Sequence, residues 1–447
     1  MRVCVFGAGY VGLVSGVGLA HMGHQVAIVD AVAERIENLR AGRVPFLEPG
    51  LEDLLRAGAA AGRIQFPESP GAGLAGSDIS LIAVGTPSEN GAIDLRYVLA
   101  AANTIGRWLP SADRWHTVVV KSTVVPGTTD GPVREELERA SGLKAGDDFG
   151  LAINPEFLRE GCAVKDFLEP DRLVFGSSEE RAIGVLERLY GAMSCAKIQV
   201  APVNAELIKY ASNALLATLV SFSNEWAAIC EGLPGADVET LMRGVHLDRR
   251  LSRSDDGSPI HPGILSYLAA GPGYGGSCLP KDLTAARASA RSRGVSTPLL
   301  DAVAEVNRQR PAGVVEILRR ELGTLEDRRI AVLGLAFKPG TDDIRESPAL
   351  PLLGLLRSAG AQPRVWDPCA PSDGAASQRF ATPQAVLEGA DAAVLVTAWP
   401  EIAGWPWPEL VTRMRGRTVL DTRNALRGVA WPAGVRYVPI GKGPDPS

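Results

Sequence analysis

Residues 271–282 read Gly-Pro-Gly-Tyr-Gly-Gly-Ser-Cys-Leu-Pro-Lys-Asp, four glycines in six residues followed by Cys278. Glycines let the backbone bend where side chains would clash, so a ligand can approach the main chain there. Lys281 and Asp282 come within one helical turn of the thiol. Positive charge and the amides of a helix starting at this point would favour a thiolate. Capture of a carbonyl carbon is the chemistry a thiolate supports, and a small inert thiol beside a tight turn is the other reading of the same residues. Three further groups could serve such chemistry. Residues 154–161 read Asn-Pro-Glu-Phe-Leu-Arg-Glu-Gly, and Glu156 and Glu160 would share a face if the segment turned helically, as a base and a cofactor contact or as a solvated pair. Lys209 and Asn213 lie one turn apart in residues 204–231, a stretch without Gly or Pro whose apolar positions fall on both sides of a helix. Burying that lysine is costly unless it meets an anion or a polar partner, which points both side chains toward a substrate. Thr123 follows an apolar run and either lines a ligand or caps a helix.

These residues need a scaffold, and the N-terminus supplies its first part. Val3-Cys4-Val5-Phe6 is a strand-like run, followed without a gap by Gly7-Ala8-Gly9-Tyr10-Val11-Gly12, a helical stretch over 13–21, a second strand over 25–29, and Asp30. That is the dinucleotide fingerprint: glycines for the turn and for close approach of the pyrophosphate, a helix N-terminus for the phosphates, an acid for the ribose hydroxyls. A carboxylate that accepts the 2′-hydroxyl would repel a 2′-phosphate, so Asp30 favours NAD over NADP. Arg35 either offsets that repulsion or lies over the adenosine. Strands over 79–84, 117–121 and 151–154 follow, and the turns after them, with Thr86 and Thr123, should line the cofactor. Helical patterns over 281–293 and 298–309 come next. A second βα pattern then opens at 329–333, runs through Gly334 and Lys338 to a helix ending near 356, and reaches a strand over 364–366 closed by Asp367; strands over 392–396 and 418–421 complete it. The expected fold is α/β: two Rossmann-like doubly wound domains joined by a long central helix and a helical region, with domains at 1–203, 204–310 and 311–447.

A chain of 447 residues exceeds one core, and its 46% hydrophobic and 22% charged composition is that of a globular protein. The net charge of -5 gives no footprint for nucleic acid, so an anionic ligand must be held by local positive groups. Six scattered cysteines, with no close pairs of metal-ligand spacing, fit a reducing cytosol better than a disulfide framework. No signal segment or membrane span is visible, which places the protein in the cytoplasm. Residues 67–76 and 254–263 read as surface loops.

Taken together, GxGYVG at Gly7, NPEFLREG at Asn154, NAELIKYASN at Asn204, GPGYGGSCLPKD at Gly271 and GLAFKPGTDDIRESP at Gly334 resemble the nucleotide-sugar dehydrogenases over nearly the whole chain. The resemblance implies an NAD-binding first domain, a central helical region that forms a homodimer, and a C-terminal domain that holds the nucleotide diphosphate. It also implies oxidation of a sugar C6 alcohol to a carboxylate with two NAD and no metal. Cys278 would form a thiohemiacetal and then a thioester, Lys209 and Asn213 would stabilise the oxyanion, Asp282 and Glu156 would manage protons and water, and Thr123 would orient the water or reacting oxygen. NAD would contact Gly7, Gly9, Tyr10, Val11, Gly12, Asp30, Arg35, Thr86, Thr123, Glu160, Cys278 and Arg345. The substrate would contact Glu156, Phe157, Leu158, Arg159, Lys209, Asn213, Tyr274, Gly275 and Lys338, with Arg250 reaching across the dimer. The segment over 252–265 is longer than the family's usual connection, which loosens the Arg250 assignment. UDP-glucose is the implied substrate; dTDP-glucose, GDP-mannose and a UDP-N-acetylhexosamine are alternatives within the family. A hydroxyacid dehydrogenase would not need Cys278, and an NAD-binding regulatory protein would not need the catalytic set.

Overall fold

The computed structural model describes residues 1–89, 91–255, 258–260, 262–371 and 378–444. The chain divides into two compact units, Met1–Ser212 with Ala288–Arg293, and Asn213–Arg287 with Gly294–Ser447. The first boundary falls inside the 30-residue helix Pro202–Glu231.

The first unit is built on one sheet. Its strands are β1 (Arg2–Phe6), β2 (Gln25–Val29), β3 (Ile64–Gln65) and β4 (Ile79–Ile82). After a short antiparallel pair, β5 (Ser88–Glu89) and β6 (Ala92–Ile93), come β7 (Thr117–Val120), β8 (Gly150–Ile153), β9 (Arg172–Gly176) and β10 (Ala196–Val200). The order across the sheet is β10-β9-β8-β7-β4-β1-β2-β3. Strands β1 to β8 of this sheet run parallel, and β9 meets β8 antiparallel. The central strands Ile-Ser-Leu-Ile and Thr-Val-Val-Val are buried along their whole length, as expected when helices cover both faces. Because the chain winds outward through β2 and β3 and returns to β4, its order reverses between β1 and β4, and the carboxyl ends of those strands leave a crevice. Gly7 closes β1 at this point with φ +103°, where a Cβ would lie 2.6 Å from the Ala83 carbonyl oxygen. Residues 67–76 differ from the expected surface loop: Ser69 caps the short helix Pro70–Leu74 by accepting from the Ala72 amide, and Leu74 is buried. A capping side chain and one buried leucine suffice to order a turn that glycine and proline content marks as irregular.

The second unit contains the helix Val238–His246, capped by Asp237, the helix Pro298–Leu322 and a six-stranded sheet. Residues 254–263, expected as a loop, carry an antiparallel pair, β11 (Arg253–Asp255) and β12 (Ser258–Ile260); Asp256 and Gly257 lie outside the described residues. The Pro298–Leu322 helix runs well past the expected end near 309 and through Pro311. Pro311 removes a backbone donor, yet Val314, Val315, Ile317 and Leu318 beyond it join the core of the adjacent sheet and sustain the helix. That sheet comprises β13 (Arg329–Leu333), β14 (Gln362–Trp366), β15 (Gln378–Arg379), β16 (Ala392–Leu395), β17 (Thr418–Asp421) and β18 (Arg436–Pro439). Its order, β15-β14-β13-β16-β17-β18, is parallel throughout and reverses between β13 and β16, the same winding as the first sheet.

Candidate active site

In the first unit the helix Tyr10–His21 begins directly after Gly9, earlier than the expected 13, and no side chain caps it. Its first amides are therefore free to meet an anion. A Cβ on Gly12 would stand 1.9 Å from the Gly7 carbonyl oxygen, so the turn admits no larger residue, whereas a Cβ on Gly9 would meet nothing within 4 Å. The open side at Gly9 leaves room for a ligand to approach the backbone. Asp30, just past β2, accepts from the Ala8 amide at 2.7 Å and from Arg35 at 2.8 Å through Oδ2, and from the Val32 amide at 2.9 Å through Oδ1. Arg35 is thus drawn to Asp30. Thr86 and Thr123, both half-buried, follow β4 and β7 on the crevice side. Val11 packs against the core, and the Tyr10 hydroxyl bonds Glu48. Glu48 also accepts from the Gly161 amide at 2.7 Å and the Val164 amide at 3.3 Å, tying the turn beside Glu160 to the glycine turn.

Beyond β8, residues 154–159 have no regular structure, so Glu156 and Glu160 do not share a helical face. Pro155 disfavours the helical region only for Asn154, and beyond it the Glu156 side chain is taken up by the Leu158 amide and Lys209. Glu156 is instead buried against Lys209, whose Nζ lies 3.0 Å from Oε1, while Oε2 accepts from the Leu158 amide at 2.6 Å. Burial works against the Glu156 carboxylate, but Lys209, the Leu158 amide and Lys121 outweigh it and hold the group below the usual carboxylate range. The anion expected opposite Lys209 is therefore a residue of the chain. Phe157 lies beneath Arg172, 4.0 Å from ring centroid to guanidinium, and Lys209 stands 5.5 Å from the same ring. Arg159 pairs with Asp166 at the surface.

In the second unit the glycine-rich loop is clamped by its backbone. The Gly271 amide donates to Asn224 at 2.7 Å, and its carbonyl accepts from Arg310 at 3.0 Å, itself paired with Glu231. Asn307 accepts from the Tyr274 amide at 2.8 Å and donates to the Tyr274 carbonyl at 3.1 Å. The Gly276 amide donates to the Arg345 carbonyl at 2.9 Å, and a Cβ on Gly275 would lie 2.2 Å from the Glu346 carbonyl oxygen, so two chain segments run in contact here. Cys278 is half-buried, with Sγ 3.6 Å from the Ser277 hydroxyl, and immediately precedes the helix Leu279–Arg291. One turn on, Asp282 is 1% exposed and accepts from Asn213 at 2.6 Å and from Lys281 at 2.7 Å. Tyr274 is buried, and burial pushes its phenol up to about 12. Lys338 is half-buried with Nζ 5.6 Å from the Phe337 ring. Arg345 and Arg250 are exposed and paired with Asp343 and Asp248.

Sequence reasoning missed the residues that hold these groups: Lys121 and Glu48 in the first unit, Asn224, Glu231, Asn307 and Arg310 in the second. A signal for two of them exists. Val303, Asn307, Arg310 and Val314 recur at steps of four, three and four, which puts two polar residues on the buried stripe of a helix.

Three consecutive stretches match one family, described as UDP-glucose/GDP-mannose dehydrogenase: its NAD binding domain over residues 1–194, its central domain over 203–309 and its UDP binding domain over 331–428. The chain belongs to the UDP-glucose/GDP-mannose dehydrogenase family. It is 41% identical over 445 residues to the UDP-glucose 6-dehydrogenase of Pseudomonas aeruginosa, covering 95% of this chain and 93% of that one. A UDP-glucose 6-dehydrogenase of Bacillus subtilis is 38% identical over 429 residues, with 95% and 89% covered. Among solved structures, a UDP-glucose dehydrogenase from the hyperthermophilic archaeon Pyrobaculum islandicum superposes with a TM-score of 0.86 at 41% identity, covering 96% of this chain and 98% of that one. NAD is the cofactor of this family member, and the Gly7–Gly12 turn with Asp30 fits it. Among the described residues no helix is long and apolar enough to cross a membrane.

Proposed function

We propose that the protein is an NAD-dependent UDP-glucose 6-dehydrogenase that oxidises the C6 alcohol of UDP-glucose to the carboxylate of UDP-glucuronate. The observation that carries this reading is the Cys278 loop, clamped at both ends and set one turn before a buried Asp282–Asn213 pair, in a family member with an intact dinucleotide turn. NAD accepts a hydride twice, so one alcohol and one water give a carboxylate, two NADH and three protons. After the first oxidation the Cys278 thiolate adds to the aldehyde carbon and the new alkoxide is stabilised by Lys209 and Asn213. Collapse with loss of the second hydride leaves a thioester. Glu156, kept ionised by Lys209, accepts a proton from the water that attacks the thioester; Asp282, which took the Cys278 proton when the thiolate formed, returns it to the sulfur as it leaves, and Thr123 orients the oxygen. The covalent bond retains the aldehyde between steps.

The cofactor is assigned to Gly7, Gly9, Tyr10, Val11, Gly12, Asp30, Arg35, Thr86, Glu160 and Arg345. The sugar nucleotide is assigned to Phe157, Leu158, Arg159, Tyr274, Gly275, Lys338 and Arg250. Functionally, residues 1–203 serve NAD, 204–310 the thiol and subunit association, and 311–447 the nucleotide. The protein acts as a homodimer: Leu215, Phe222, Trp226 and Ile229 are exposed and fall within one narrow arc of the Pro202–Glu231 helix, an apolar stripe that a second copy would cover. Its six free cysteines support a cytoplasmic location. The test is NADH release from purified protein with UDP-glucose, dTDP-glucose, GDP-mannose and a UDP-N-acetylhexosamine. UDP-glucose should give the highest kcat/KM; preference for another sugar nucleotide moves the assignment within the family, and no release from any of them overturns it.

A further inference from the structure

Under the Glu156 turn lies a cation that the reaction scheme leaves unused. Lys121 is 3% exposed at the carboxyl end of β7, and its Nζ is held at 2.9 Å by the Asn154 side-chain oxygen and at 3.4 Å by the Asn154 carbonyl. The Tyr190 hydroxyl donates to the same Asn154 oxygen at 2.8 Å, and the Asn154 amide group donates to the Val174 carbonyl at 3.0 Å. Every polar atom of Asn154 is thereby engaged, and Asn154 starts the turn that delivers Glu156 two residues later. No carboxylate among the described residues lies within salt-bridge distance of Lys121, so its charge acts on the nearest buried acid, Glu156, across the turn. A buried ammonium is expensive unless it serves a nearby anion.

We propose that Lys121 is a positioning residue for the oxidation: it fixes the Asn154–Pro155–Glu156 turn from below and its charge, added to that of Lys209, keeps Glu156 ionised as the base. This rests on the role given to Glu156 above. The charged groups facing Lys121 are Glu156 and Lys209, with Tyr190 as its titratable neighbour. Burial first, then Lys209, lowers the Lys121 ammonium to about 8, while Glu156 opposes the fall. At pH 5 to 7 Lys121 is thus charged and Glu156 is its beneficiary.

The experiment compares wild type, Lys121→Met and Lys121→Arg in the pH dependence of kcat with UDP-glucose, alongside NAD affinity and melting temperature. The proposal expects the acid limb of the Lys121→Met profile to move up by about one pH unit or more, the size of effect an adjacent charge has on a carboxylate, with NAD affinity unchanged. Lys121→Arg should restore the limb. A folded Lys121→Met protein slowed equally at every pH, with the limb in place, overturns the proposal and leaves a structural lysine. Should Lys121→Met not fold, carbon-13 titration of the lysine side chains decides, since the sequence holds only eight lysines. In a Lys209→Met background the lysine that titrates lowest should titrate lower still once Glu156→Gln is added; a titration indifferent to Glu156 overturns the proposal. That arm uses no sugar nucleotide. A wild type inactive on every sugar nucleotide, with this titration present, would fault the assigned reaction and leave the Lys121–Glu156 coupling standing.

Discussion

The two sheets of this molecule share a winding and a punctuation, and use them differently. Each first strand ends in a glycine of positive φ, Gly7 at +103° and Gly334 at +101°, and each second strand ends in an aspartate, Asp30 and Asp367. Asp30 sits at the lip of a turn that runs straight into a helix, with Gly9 open to ligand. Asp367 is 3% exposed and saturated: Oδ2 accepts from the amides of Leu335 and Ala336 and from the Trp399 indole, Oδ1 from the amides of Cys369 and Ala370. After Gly334 the next helix begins only at Ala349, so this turn does not run straight into a helix. The same acid at the same place in the winding thus takes three donors beside an open glycine turn in one sheet and five donors as an internal staple in the other. Topology sets where a crevice forms; the donors already spent inside it set what it can bind.

Replacing the two acids separates these roles. Asp367→Ala would leave five donors, four of them on buried residues, without their acceptor and should cost about 3–5 kcal/mol in urea denaturation, the largest effect, with NAD affinity unaltered in the protein that remains folded. Asp30→Ala should do the reverse: the KM for NAD rises about ten-fold or more, and stability falls by less than in Asp367→Ala, because of its donors only the Ala8 amide belongs to a buried residue. If both variants lost stability alike with NAD affinity intact, the distinction between lip and staple would fall.

A smaller effect separates the sheets by pH. His116 is buried beside β7, its ring bonded to the Ser80 hydroxyl at 2.6 Å and the Ser77 carbonyl at 3.1 Å, and burial lowers it to about 4 from 6.5. The unfolded chain therefore takes up a proton that the folded one refuses. Stability from this group is full above pH 6.5 and is lost as the pH falls toward 4. No histidine occurs beyond residue 261. Amide protection factors, which remove the intrinsic pH dependence of exchange, should fall in β4 and β7 between pH 6.5 and 4.5 more than in β13 and β16, and His116→Gln should flatten that difference.

Much of this was legible before any coordinates, for a physical reason. The glycine turn, Asp30 and the Cys278 loop are contiguous motifs whose chemistry depends on near neighbours, so residue order alone displays them. The partners of the catalytic groups were not legible, because each arrives from elsewhere in the chain: Lys209 meets Glu156 across 53 positions, Asn213 meets Asp282 across 69, and Asn307 grips Tyr274 across 33. The demand of Lys209 for an anion could be read from its apolar surroundings, but its satisfaction by Glu156 required the sheet. The shared face of Glu156 and Glu160, conditional on a helical turn over 154–161, does not form, because Glu156 folds back on the Leu158 amide and meets Lys209, a partner 53 positions away.

The covalent role of Cys278 is tested most directly by rapid quench of the enzyme with UDP-glucose and NAD, followed by intact-protein and peptide mass spectrometry with NADH counted in parallel. The account predicts a sugar-nucleotide adduct on the peptide containing Cys278, two NADH for each UDP-glucuronate, and neither adduct nor acid from Cys278→Ala. Full acid production by that variant, or an unmodified Cys278 throughout turnover with free aldehyde released after one NADH, would contradict it.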